Sequence, residues 1–362
     1  MLFRVIGVDP GSKSWDFFGI ENKEIILDTS IPSKDLIEEP SKALTIIKSV
    51  DNLDLLVAPS GFGLPLKKVS EITEEDIFLT LLKFDGKDKY KLIGLGEILR
   101  LMKAEKIPGI MIPGIKHLPT IPRFRKINKI DMGTADKLCT AVTGIRDQVE
   151  RLDINPNNSN FIMVEIGSGF TSVLAIENGQ VIDGIGGSNI MGFRACGSLD
   201  GELAYLIKKV NKQKIYSGGL SYIAGQLDLS LNEIISRAKE DSQTNLALNA
   251  YLSELIKAIL AITSSYSNRN NIAEIMLAGR SSELKNIMRI IDDRLGNLYS
   301  VRLMRSFGKT SKHAAQGAAF IANGLLGGEF EPIINNLRIK EAKGTILDDI
   351  YIPFDKNDNG VI

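Results

Sequence analysis

The sequence predicts an α/β protein of two domains, and three observations carry that prediction. Apolar runs of strand length alternate with segments of helical spacing along most of the chain. A strand-turn-strand unit at the start recurs near the middle. The 362 residues, 44% of them hydrophobic, suffice for two separate cores.

The first copy opens the chain. RVIGVDPGSKSWDFFGIENKEII reads as an apolar strand, the turn Asp9-Pro10-Gly11-Ser12, a second strand, a tight turn at Glu21-Asn22 and a third strand. SKALTIIKSV has helical spacing, and LDLLVAPSG is a short buried strand ending on Pro59 and Gly61. GLGEILRLMKAEKI is an amphipathic helix leading to the strand GIMIPG, and GTADKLCTAVTGIRDQVERL is a further helix. The run DINPNNSN (153–160) gathers Asn, Pro and Ser between two periodic segments, which marks the expected domain junction. The expected domains are 1–152 and 160–328, followed by a tail, 329–362.

The second copy follows the junction. A shift that brings Val8 onto Val164 also brings Asp9 onto Glu165, Gly11 onto Gly167 and Ser12 onto Ser168. The same shift places Ile20-Glu21-Asn22 on Ile176-Glu177-Asn178 and Ile26 on Ile182. An irregular stretch runs from there to about residue 245. Leu248, Leu252, Leu255, Ile259 and Ile262 then mark one face of a long helix. AEIMLAG is a strand, SSELKNIMRIIDDRL a helix, YSVRLM a strand and KHAAQGAAFIANGLLGG a final helix. That helix carries Ala314, Ala315, Gly317, Ala318, Ala319 and Ala322, small residues that let backbones approach closely, as ordinary helix-on-sheet packing also requires.

An acid, glycines and a serine in a turn between strands suit a polyphosphate with a divalent metal. Glycine removes the Cβ that would keep main-chain N–H groups away from an anion, and successive N–H groups form an anion-binding concavity. Ser12 or Ser168 adds a donor. A carboxylate beside phosphate is accounted for by Mg²⁺, which takes one or two carboxylates plus phosphate oxygens. Asp9 thus reads as a magnesium anchor, or as an acid in an Asx or type I turn. Two such turns, facing each other across a cleft, would clamp a polyphosphate, with Lys13 neutralising charge that develops during transfer.

On these residues the chain resembles the superfamily of actin, heat-shock ATPases and sugar and acetate kinases. GVDPGSKS matches that superfamily's phosphate 1 turn, VEIGSGFTS its phosphate 2 turn, and IMLAGRSSEL (275–284) its adenosine loop, while AAQGAAFIANGL resembles its closing helix. The resemblance covers about residues 3–327 and implies two ribonuclease H-like domains with nucleotide in the cleft between them. It implies ATP and Mg²⁺ as cofactors, Asp9 and Glu165 at the metal, and Gly11, Ser12, Gly167, Ser168, Gly169 and Thr171 at the phosphates. Gly279, Arg280 and Ser282 are then the nucleoside contacts. More narrowly, the chain is similar to an archaeal group labelled predicted butyrate kinases, and GTADK (133–137) is similar to an acceptor-site motif of type III pantothenate kinases. It departs from the common pattern in carrying Glu165 where Asp is usual, Ala278-Gly279 where two glycines are common, and no His in the phosphate 2 segment.

HLPTIPRFRKINKIDMGTADK gathers Arg123, Arg125, Lys126 and Lys129 just before Asp131 and Asp136. Guanidinium forks match carboxylates and phosphates, so this is either an acceptor grip or a solvated basic loop. Asp136 stands in the first turn of its helix, where the helix dipole alone also favours a carboxylate. A hydroxyl acceptor needs an acid such as Asp136 to take its proton, whereas a carboxylate acceptor is already ionised.

The expected function is therefore ATP-dependent transfer of the γ-phosphate to a small-molecule carboxylate or hydroxyl. An ATPase switch acting on a partner protein shares every nucleotide motif. A nuclease of the ribonuclease H type needs several convergent carboxylates and a basic surface. Forty-four basic residues balance forty-four acidic ones, so the expectation is no nucleic-acid and no membrane partner, with a homodimer left open. A carbamoyltransferase is disfavoured because His117 and His313 are the only histidines. Two distant cysteines, Cys139 and Cys196, and no apparent leader point to a reducing cytoplasm, and no uninterrupted apolar run approaches the ~18 residues of a membrane span.

Overall fold

The computed structural model describes residues 2–83 and 94–353, without the side chains of 281–283; the end of the expected tail, 354–362, lies outside the described residues. The chain forms two compact units. The first takes the chain up to Ser159, the segment Asn178–Val181 and the chain from Arg305 onward; the second takes Asn160–Glu177 and Ile182–Met304.

The first unit is built on strands β1 (Arg4–Pro10), β2 (Ser14–Glu21), β3 (Glu24–Pro32), β4 (Leu55–Val57), β5 (Lys67–Lys68) and β6 (Gly109–Met111), in the sheet order β3-β2-β1-β4-β6-β5. β1 pairs antiparallel with β2 and parallel with β4, which makes it a central strand and explains its unbroken apolar run from Val5 to Val8. One face of the sheet packs on the helices Ser41–Lys48 and Leu95–Ala104 through a core that includes Ile6, Val8, Trp15, Phe17, Ile47 and Leu99.

Helix His313–Leu325 closes the other side and packs against β1 and helix Ala135–Leu152. Its small residues are dictated by distance. A Cβ on Gly7 of β1 would lie 2.2 Å from the Ala315 carbonyl oxygen, and one on Gly317 would lie 1.7 Å from that of Cys139. This contact places the helix in the first unit, although its position in the sequence assigns it to the end of a second domain running to 328. Surface complementarity to β1, not chain order, decides where it goes.

The tail also packs on the first unit. Lys116 Nζ donates to the carbonyls of Ile346 (2.7 Å) and Asp348 (2.5 Å), and Asn128 Oδ1 accepts from the backbone N–H of Tyr351. Beneath it His117 is only 2% exposed, and neither ring nitrogen makes a hydrogen bond. Burial pushes the imidazole down to about 4; the nearby Gly114 backbone opposes it, the positive charges of Lys126 and Lys116 act with it, and the Asp348 carboxylate acts against them. The unfolded chain, with an ordinary histidine, binds this proton first as pH falls, so the native state loses stability between about pH 6.5 and 4. The expected contribution is about 3 kcal/mol across that window. Urea unfolding at pH 7.5 and 4.5 should show it as a drop that His117→Phe largely removes.

The second unit carries β7 (Phe161–Ile166), β8 (Thr171–Glu177), β9 (Gln180–Ile185), β10 (Glu274–Gly279) and β11 (Ser300–Leu303), in the order β11-β10-β7-β8-β9. The first two residues of β9 fall within the first unit's Asn178–Val181 segment. β7 pairs antiparallel with β8 and parallel with β10, the same arrangement around the repeated strand as β1 has with β2 and β4. The chain's internal similarity is thus a similarity of topology. The helix Ser242–Ile262 buries Leu248, Leu252, Leu255, Ile259 and Ile262 in this unit's core, the face that the sequence spacing predicts. With the turn after it, this is the one stretch among the described residues long and apolar enough to cross a membrane; its packing on the sheet accounts for that composition.

Candidate functional site

The hairpin of β1 and β2 sets the first group of side chains. Its register pairs Asp9 directly with Asp16 and Pro10 with Trp15, leaving Gly11, Ser12 and Lys13 as the connection. Ser33 ties down the turn: its hydroxyl donates to the Gly11 carbonyl at 2.7 Å and its N–H to the Lys13 carbonyl at 3.0 Å. Ser12 and the side chain of Lys13 face solvent, while Asp9 is buried.

Asp16 is fully buried and fixed by the hydroxyls of Ser14 (3.1 Å) and Ser30 (2.5 Å) on one oxygen. Its other oxygen accepts the backbone N–H of Lys312 at 3.1 Å, just before helix His313–Leu325. The Lys312 ammonium lies 2.7 Å from Asp9 Oδ2 and 3.4 Å from Asp16 Oδ2. Burial pushes Asp9 up to about 6; Lys312 pulls it down, and the Asp136 and Asp16 charges add to the rise. At neutral pH it remains largely ionised.

Asp136 enters from the first turn of helix Ala135–Leu152. It accepts a hydrogen bond from the Thr134 hydroxyl and pairs with Lys137 at 2.6 Å. Burial opposes its charge, yet Lys137, the Thr134 hydroxyl and Lys312 together hold the carboxyl below the usual range. Asp9, Asp16, Asp136, Lys312 and Lys137 therefore form one electrostatic cluster in which three carboxylates face two ammonium groups. Among the described residues no three metal-ligating side chains converge, so a divalent cation at this net-negative cluster would take one protein carboxylate and complete its shell with phosphate and water.

In the second unit the turn after β7 has its own frame. Gly167 N–H donates to the Phe170 carbonyl at 2.9 Å, and the Gly169 carbonyl accepts the N–H groups of Arg194 and Ala195. Ser168 is half-buried, and Glu165 pairs across the hairpin with Ser172 and, in the parallel direction, with Ala278. Thr171 is fully buried, with its hydroxyl 2.9 Å from that of Tyr251, so its side chain serves the core. β10 brings Gly279 beside Ile166; at φ +141 a Cβ there would lie 2.5 Å from the Ile166 carbonyl oxygen. The Gly279 turn and the Gly167 turn are therefore neighbours within this unit. Arg280 caps helix Ser281–Leu295 and is exposed; the side chain of Ser282 lies outside the described residues.

The basic residues expected to grip the acceptor lie in the first unit, where the structure shows them with local partners. Arg123 pairs with Asp349 of the tail at 2.7 Å, Lys126 Nζ donates to the Leu118 carbonyl, and the Arg125 guanidinium lies 5.7 Å from the Phe124 ring centre. Asp131 is buried and accepts the Gly133 N–H, fixing the bend that leads into Asp136. Of the expected residues in the first unit, Asp9 and Asp136 share the electrostatic cluster with Asp16, Lys312 and Lys137, which sequence reasoning missed, and Gly11 lies beside the Lys312 ammonium.

A family profile described as "Protein of unknown function (DUF1464)" matches residues 7–352. The chain belongs to the DUF1464 family. No curated protein sequence matches it. Its fold is that of short-chain acyl kinases of known structure. A propionate kinase from Francisella tularensis subsp. tularensis SCHU S4 superposes with a TM-score of 0.62 at 15% identity, over 87% of this chain and 99% of that one. The acetate kinase from Entamoeba histolytica gives 0.58 at 14% identity, over 82% and 87%. This DUF1464 chain thus shares the α/β fold of those two kinases.

Proposed function

We propose that this protein is an ATP-dependent phosphotransferase that moves the γ-phosphate of ATP to a small-molecule carboxylate or hydroxyl, in the manner of a butyrate kinase, on two ribonuclease H-like domains. The observation that carries this reading is the cluster at the first hairpin turn. A buried Asp9, paired with Lys312, stands there beside a glycine turn, with Asp136 in the same electrostatic group.

In this reading the Gly11-Ser12-Lys13 and Gly167-Ser168-Gly169 turns take the phosphates, and Gly279, Arg280 and Ser282 the nucleoside. Asp9 and Glu165 would hold Mg²⁺, which supplies charge neutralisation for the phosphates. Arg123, Arg125, Lys126 and Asp131 serve the acceptor, and Asp136 accepts a proton where the acceptor is a hydroxyl. Its lowered pKa keeps it ionised at neutral pH, as a proton acceptor must be.

The test is to incubate the protein with γ-labelled ATP, Mg²⁺ and a pool of short carboxylic acids and alcohols, and to separate the products. Label on an organic acceptor is the expected result and identifies its class. Label released only as inorganic phosphate would replace the kinase reading by an ATPase switch, and absence of ATP binding would remove both.

A further inference from the structure

We propose that Lys312 is the protein's ligand for the terminal phosphate of the nucleotide, the role that the sequence suggests for Lys13. This rests on the ATP-dependent reading above. Three features separate Lys312 from an ordinary structural lysine. Its ammonium lies against the turn: a Cβ on Gly11 would come within 2.3 Å of Nζ, so any side chain at position 11 would displace the ammonium or the turn. Its position is held from two directions, by the backbone N–H to Asp16 Oδ2 and by the Asp9 and Asp16 carboxylates around Nζ. And its side chain is 24% exposed, so the lysine is not sealed in the core.

Lys13, by contrast, is held at the hairpin connection through its backbone carbonyl, and its side chain is exposed. An exposed lysine at a turn must lose rotamer freedom to meet a ligand, whereas an ammonium already held in place loses little. Asp16 gains a purpose as well. It is a buried carboxylate with no direct access to solvent, and its four polar partners fix the start of helix His313–Leu325 and the lysine before it. Asp16 is thus a positioning residue for Lys312.

The proposal is tested by binding, with Trp15 as reporter. It is the chain's single tryptophan, is fully buried, and pairs with Pro10 at the edge of the turn. Tryptophan fluorescence, with calorimetry as a second readout, gives the affinities for ADP and for the non-hydrolysable β,γ-imido analogue of ATP at saturating Mg²⁺. A charge-assisted hydrogen bond to the terminal phosphate predicts that Lys312→Gln lowers analogue affinity by about 10- to 100-fold and ADP affinity by less than about threefold. Lys312→Arg, which keeps the charge, should retain most of the preference. Should Lys312→Gln fail to fold, the double variant Asp16→Asn with Lys312→Gln removes the lysine together with the fully buried carboxylate it faces at 3.4 Å and carries the same expectation. An unchanged preference for the analogue, or an equal loss for ADP, overturns the role of Lys312 while leaving nucleotide binding intact. A wild-type protein that binds neither nucleotide overturns the ATP-dependent reading itself.

Discussion

Asp136→Asn is expected to lower phosphoryl transfer to a hydroxyl acceptor by about 10²–10⁴-fold, the usual worth of a positioned general base. It should leave transfer to a carboxylate acceptor within about tenfold, because such an acceptor brings no proton to remove. The substitution is nearly isosteric. Thr134 and Lys137 engage different carboxyl oxygens; in the amide Lys137 keeps the oxygen and the Thr134 hydroxyl turns to accept from the NH2, so the fold should survive and the loss should appear in kcat. The carboxyl is held below its usual range, so its titration should not appear in a pH–rate profile near neutrality. Steady-state rates on the acceptor identified by the labelling experiment decide the matter. A hydroxyl acceptor with an unaffected Asp136→Asn enzyme would remove the residue from the chemistry.

The second large effect is on stability. Gly317→Ala should destabilise the protein by about 3 kcal/mol or more, although alanine is the better helix former by about 1 kcal/mol. The new Cβ would lie 1.7 Å from the Cys139 carbonyl oxygen, 2.5 Å from its carbon and 2.8 Å from Thr143 Oγ1. Two of these are backbone atoms of a buried helix and cannot swing aside, so the helices must separate or the residue must leave its place. Gly201→Ala is the matched control, since nothing lies within 4 Å of a Cβ there. In thermal melts followed by circular dichroism, Gly317→Ala should melt roughly 10 °C lower and Gly201→Ala within a degree or two of the wild type. Equal melting temperatures would mean that the helix is not held against Cys139 as described.

Much of this fold is legible in the sequence because its elements carry their own periods. The strands around Asp9 and Glu165, the helix with Leu248, Leu252, Leu255, Ile259 and Ile262, and the turn before Asn160 follow from local pattern. What was missed depends on partners far along the chain. Asp16 was within reach, because the hairpin that carries Asp9 fixes its cross-strand partner once the turn length is counted. Lys312 was not, since only the packing of the closing helix on Gly7 brings it to Asp9. Thr171 shows the opposite case. Its place in the phosphate-like segment suggested a ligand, but as the first residue of β8 it turns its hydroxyl to Tyr251 in the core. The basic loop reads as either an acceptor grip or a solvated loop because the sequence does not reveal that the tail returns to it.

The first unit is begun by the first residues of the chain and completed only after Arg305, with the second unit inserted between. A ribosome therefore makes the β1–β3 hairpins long before the helix that covers Gly7, and the face of that sheet around Gly7 waits for this helix until His313–Leu325 has been made. The second unit, nearly contiguous from Asn160 to Met304, has all of its residues in hand as soon as Met304 emerges. The half of the protein that is written first is in this sense finished last, and its carboxylate cluster acquires Lys312 only at the end.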